Sequence, residues 1–233
     1  MPFRIMGFAL ALLISVGVSA VAKPETVEVA PGVSLERRVY PAPANEAPFF
    51  NFAAPTEHQT AANERFVREV LARVPDRGKA AQMTTAAGWQ ALIGRNDFGT
   101  AGRRFNQAFL LDPMESSIYQ GFGAIAASRF KDFVFANELF LIAARMKSPL
   151  KTLAADHGRV LLMANRPAEA KPLLEKAVRD DPDWAIPRAN LAWAMFLTGQ
   201  ADQACRLIKE AKGRDLHAVE RDVAMLQQRA SCT

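Results

Sequence analysis

The rhythm of apolar positions divides the chain into four stretches. Met1 to Arg4 form a short positive start, and Ile5 to Ala22 follow without a single charge. From Lys23 to Pro55 no regular period holds. Six prolines in this stretch (Pro24, Pro31, Pro41, Pro43, Pro48 and Pro55) forbid a continuous helix. Val27-Glu28-Val29 and Val39-Tyr40 are expected as short extended pieces. Phe49-Phe50-Asn51-Phe52 sets three rings on this lead, either tucked against the body of the protein or offered to a partner. Beyond Thr56 the period becomes helical. Phe66, Val70, Leu71 and Val74 share one face of a helix, which Pro75-Asp76-Arg77-Gly78 ends. Near the C-terminus, Leu216, Val219, Val223 and Leu226 give residues 215–229 a similar stripe.

The middle of the chain repeats itself. Phe98-x-x-Ala101-x-x-x-Phe105-x-x-Ala108 returns as Phe133-x-x-Ala136-x-x-x-Phe140-x-x-Ala143. It returns again as Pro167-x-x-Ala170-x-x-x-Leu174-x-x-Ala177 and as Ala201-x-x-Ala204-x-x-x-Ile208-x-x-Ala211. The leading alanines lie 35, 34 and 34 residues apart, and Asp112-Pro113, Ser148-Pro149 and Asp181-Pro182 punctuate the joins. This pattern resembles the tetratricopeptide repeat over about residues 82–216. The resemblance implies an all-α, right-handed α-solenoid of about four helix-turn-helix repeats at 79–214. A flanking helix at 56–78 and a capping helix at 215–233 complete it, because each repeat buries its apolar face only on its neighbours. Ala101, Ala136, Ala170 and Ala204 match the family's small packing position on the second helix, and Phe105, Phe140, Leu174 and Ile208 its bulky one. Phe122-Gly123 and Leu191-Ala192 fit the large-then-small pair of the first helix. Trp89 falls where the first repeat holds a small residue, and His157 takes the large residue's place in the third. Pro172 is expected to cost its helix a hydrogen bond or to bend it.

Composition narrows the function. Half the residues are apolar and 23% are charged, which excludes disorder throughout, and 42 alanines against 13 glycines favour helix. The net charge is +5, but the basic residues are scattered rather than gathered into a stripe, so no nucleic-acid partner is expected. Residues 1–22 have the charge, apolar core and small-x-small ending of a secretory signal peptide, cleaved after Ala20 or Ala22. Export to a bacterial periplasm is expected, with no membrane span in the mature chain. Three scattered histidines and two cysteines make no metal spacing, and nothing in the chain reads as a cofactor fingerprint or a catalytic motif. No cofactor, metal or enzymatic activity is expected. Asp156-His157, an adjacent acid–His pair, places its side chains about 100° apart on a helix.

In the resembled family the first helices of the pairs line a concave face that holds peptides or helices of other proteins. The resemblance places Gln90, Ile125, Arg159 and Trp193 in the groove-facing column here, with Ile93, Ser128, Leu162 and Phe196 one turn away and Arg129 and Asn190 beside them. Apolar side chains and two arginines suit a mostly hydrophobic peptide carrying an acidic group. The leading expectation is a non-enzymatic periplasmic scaffold in an envelope assembly or secretion system. A self-associating structural subunit is the alternative, and an envelope enzyme with an unrecognised site a third. Cys205 and Cys232 are expected either to form a disulfide pinning the capping helix or to remain two unpaired thiols.

Overall fold

The computed structural model describes residues 25–209 and 213–232. The expected signal segment at 1–22 lies outside the described residues. Ten α-helices fill most of what is described. They are α1 (Glu57–Arg73), α2 (Arg77–Trp89), α3 (Phe98–Leu111), α4 (Ser116–Ser128), α5 (Phe133–Arg145), α6 (Leu153–Met163), α7 (Pro167–Asp180), α8 (Ala185–Leu197), α9 (Ala201–Lys209) and α10 (Glu220–Ala230). Helices α2/α3, α4/α5, α6/α7 and α8/α9 pack as four hairpins, each against the next, so the chain is an all-α solenoid. Asp76, Asp97 and Asp132 start α2, α3 and α5 by accepting a backbone N–H three residues on. Helix α7 runs on through Pro172, with Pro167 at its first turn.

The turns inside the four pairs differ by one residue. Each contains one left-handed residue, namely Asn96, Lys131, Asn165 and Gly199. In the last two pairs the chain closes with Arg166 N–H donating to Leu161 O and Gln200 N–H to Met195 O, five residues back. In the first two, Asp97 N–H reaches Ala91 O and Asp132 N–H reaches Ala126 O, six residues back. The first pair takes up its extra residue in a π-helical turn, Gln90–Gly94. This corrects the expected register. The small residue of the first pair is Gly88, where an added methyl would lie 2.6 Å from Phe105, and not Trp89. Gly123 and Gly158 take the same place over Phe140 and Leu174.

The proline-rich lead is built into the fold. Strands β1 (Thr26–Ala30) and β2 (Val33–Glu36) form an antiparallel hairpin, where an extended lead was expected. Short helical turns follow at Ala44–Glu46 and Pro48–Phe52. Residues Phe49 to Phe52 all adopt left-handed φ of 51–58°, a single left-handed turn that aims Phe49 inward. Its ring meets Phe122 at 4.8 Å, Phe109 at 5.3 Å and Tyr119 at 5.7 Å. Buried Asn106 on α3 anchors the segment. Its Nδ2 donates to the carbonyls of Asn45 and Ala47, and its Oδ1 accepts from Phe50 N–H. Glu46 pairs with Arg103 and Arg129, and Tyr40 stacks on Phe130 while donating to Asp132. The lead therefore covers the second-helix side of the first two pairs.

Candidate functional site

The first helices α2, α4 and α6 frame a cleft of about 650 Å³. Its apolar walls are Ala86, Trp89, Ile93, Leu150 and Trp184. Ile93 is 77% exposed, although it is large and aliphatic. Neutral polar residues and two carboxylates, Glu115 and Asp156, complete the lining. Glu115 caps α4, accepting from Ser117 N–H and Ser117 Oγ, and Gln82 Nε2 donates to it at 3.3 Å. Gln120, wholly buried below, donates from Nε2 to Thr152 Oγ1 at 3.0 Å and to Asp156 Oδ2 at 2.7 Å. At this cleft Gln120 Oε1 and the indole Nε1 of Trp89, both buried, have no hydrogen-bond partner among the described residues. Burial raises the Asp156 carboxyl above the usual carboxylate range. Hydrogen bonds from Gln120 and Thr152 and the charge of Arg159 oppose that rise.

The sequence-placed groove residues separate. Ile125 is fully buried in the core beside Tyr119 and Phe122, so it faces no groove. Gln90 is exposed but lies at the start of the π-helical turn, outside the cleft lining. Arg129 stacks on Phe130 at 5.2 Å and pairs with Glu46 of the lead at 3.1 Å, which leaves it no role in the cleft. The extra residue in the first two turns explains the first two displacements. The residue following the small one is Trp89, Ala124, Arg159 and Trp193 in the successive pairs, so the column was one residue late in the first two. Arg159 is exposed on α6. Asn190 is half-buried, with its Nδ2 unpartnered. Trp193 meets Phe196 at 6.0 Å and lies under the Arg229 guanidinium of α10 at 5.7 Å, which partly covers it. Cys205 and Cys232 are joined in a disulfide, their Cα atoms 5.4 Å apart, which ties the end of α10 to α9.

The expected charge balance is reversed, because no residue lining the cleft is basic and two are acidic. Sequence reasoning missed Glu115 and Asp156 as cleft residues. Asp156 carried a signal, a carboxylate among the apolar positions of a first helix. His157 has a structural place. Its ring stacks on Phe140 at 5.0 Å, its Nε2 meets Asn137 Oδ1 at 2.8 Å, and burial first, then Arg166, lowers its pKa to about 4. Among the described residues no group of three or more His, Cys, Asp or Glu side chains is placed to hold a metal ion. No helix among them is long and apolar enough to cross a membrane.

Comparison with known proteins agrees with this architecture. No curated protein matches the chain at a significant level. Residues 161–230 match the tetratricopeptide repeat family. Among solved structures, PilW, described as a widely conserved type IV pilus biogenesis factor, is similar with a TM-score of 0.53 and 19% identity, over 75% of this chain and 76% of that one. YrrB, described as a tetratricopeptide-repeat protein with an unusual peptide-binding site, is similar with a TM-score of 0.50 and 18% identity, over 72% and 85%. Tetratricopeptide repeats are therefore matched in residues 161–230, and the helix pairs ahead of them continue the same stacking.

Proposed function

We propose that this chain is a non-catalytic scaffold of a bacterial periplasm, serving an envelope assembly or secretion system by holding an extended segment of another protein in the cleft between α2, α4 and α6. The observation that carries this reading is the cleft itself. It is walled by two indoles and Ile93, and the buried indole N–H of Trp89 has no hydrogen-bond partner among the described residues. The uncharged apolar run before Ala20-Val21-Ala22 and the disulfide support export. The likeness in fold to PilW supports an envelope system. The test uses the chain purified from the periplasm, with Ile93→Ser, Trp89→Ala and, as a control on the outer helix α5, Val134→Ser. A protein partner retained by the parent and by Val134→Ser, and released by both cleft variants, is the expected result. A partner retained equally by all four proteins would place the site elsewhere. A chain still carrying Met1 in a membrane fraction would overturn the exported location.

A further inference from the structure

The geometry points to a basic side chain, Lys or Arg, flanked by apolar residues, as the feature of the bound segment that this cleft selects. This rests on the proposed use of the cleft and names the chemistry it recognises. The chain as a whole is basic, with 29 Lys and Arg against 24 Asp and Glu. The cleft departs from that balance, presenting Glu115 and Asp156 with no basic residue in its lining. Among the described residues neither carboxylate is in an ion pair, and both are held by neutral donors, Ser117 and Gln82 for one and Gln120 and Thr152 for the other. Arg159, exposed on the next turn of α6, attracts Asp156 from a distance without contacting it.

Gln120 makes this arrangement more than two acids on a surface. It is completely buried, it orients Asp156 and Thr152 from below, and its own Oε1 is left without a partner. Fixing a carboxylate over a buried amide costs desolvation, which the hydrogen bonds from Gln120 and Thr152 and the more distant Arg159 offset only in part. A cation entering from the cleft repays it. The two indoles add a second means of recognition, since a cation over an aromatic face is attracted to it. Trp184 already accepts one, the Arg214 guanidinium at 5.1 Å from its ring centre. Ile93, Leu150 and Ala86 provide apolar contact on either side of the charge.

The experiment selects random, uncharged-terminus dodecapeptides displayed on phage against the whole exported chain, then repeats the selection with Glu115→Gln/Asp156→Asn. Both substitutions keep an oxygen that accepts the existing hydrogen bonds, and circular dichroism checks that helicity is unchanged. A third selection with Asp156→Asn alone guards against loss of the α4 cap. The expected parent pool is enriched in Lys or Arg at one position between apolar residues. A synthetic peptide from it should bind about tenfold more weakly when that residue is replaced by norleucine, and about tenfold more weakly to the double variant. A parent pool enriched in apolar or acidic residues, or a pool unchanged by the substitutions, overturns this inference while leaving the cleft a peptide site if Ile93→Ser lowers capture. A parent that enriches no peptide overturns both.

Discussion

Gly102 offers the sharpest test of how the lead is held, because the sign of the effect decides. In an ordinary helix, Gly→Ala stabilises by about 0.8–1.0 kcal/mol. Here a methyl at position 102 would lie 2.2 Å from the carbonyl oxygen of Glu46 and 3.0 Å from its Cα, so the backbone of the lead has to retreat by about 1 Å. That retreat pulls on the three hydrogen bonds by which Asn106 holds Asn45, Ala47 and Phe50. Each contributes about 1 kcal/mol net, and a buried amide left unpaired costs a further 1–3 kcal/mol. Loosening part of this network outweighs the helical gain, and Gly102→Ala is expected to lose about 2 kcal/mol. In a chain of this size that lowers Tm by about 4–8 °C. Gly99→Ala is the control. Its methyl meets only the carboxylate end of the Glu46 side chain, at 3.0 Å, which can swing away, so stability should stay within about 1 kcal/mol of the parent. Urea unfolding followed by tryptophan fluorescence reads both. If Gly102→Ala is as stable as the parent, or more so, the lead does not lie on α3.

Acid should expose His157. Its pKa falls from 6.5 unfolded to about 4 folded, so the stability it contributes is complete above pH 6.5 and is lost as pH falls toward 4. The loss is about 3 kcal/mol, and His157→Gln should lose correspondingly less between pH 7 and pH 4 in urea titrations; equal losses would contradict the assignment. Lys131 is the long, flexible side chain among the four left-handed turn residues, with φ of 59°. Lys131→Gly should raise the unfolding free energy by about 0.5–1 kcal/mol, and a fall on thermal melting would argue against the left-handed turn. Reduction, or Cys232→Ser, opens a loop between positions 27 residues apart and should cost about 3 kcal/mol, with hydrogen exchange rising first in α10; an unchanged midpoint would refute the anchoring role.

What the sequence disclosed follows from which contacts are local. The alanines and bulky residues of the second helices recur because each α3-like helix meets its partner through the same two layers, and that spacing is visible without a structure. The first helices were misaligned because the extra residue lies inside a pair. Gly88 to Ala101 and Gly123 to Ala136 span thirteen residues, whereas Gly158 to Ala170 and Ala192 to Ala204 span twelve. Counting back from the second helix therefore lands on Gln90 and Ile125 in place of Trp89 and Ala124, yet reaches Arg159 and Trp193 correctly. Nothing local marks the difference, since Asn96 and Lys131 take the same left-handed turn as Asn165 and only the backbone acceptor changes. The acidic character of the cleft was hidden for a different reason. Glu115 and Asp156 are 41 positions apart and come to line one cleft only through the stacking of successive pairs.

The same stacking bears on whether the protein associates with itself or with another. A solenoid polymerises when its end repeats leave apolar faces bare. Here α1 lays Phe66, Val67, Val70, Leu71 and Val74 over Ala80, Ala81 and Leu111, closing the first pair. At the other end Leu226 and Val223 of α10 close over Ala192, Ala204 and Ile208, and the disulfide holds that helix down. The lead occupies the outer side of the first two pairs with Phe49 and the Glu46 ion pairs. Both ends and much of the outer wall are spoken for by the chain's own residues. The cleft between α2, α4 and α6 is not covered in this way, and its carboxylates do not complement a second copy of a face that is itself acidic. Among the described residues neither end of the stack leaves a bare apolar face for end-to-end growth, and face-to-face pairing through the cleft would set like charge against like.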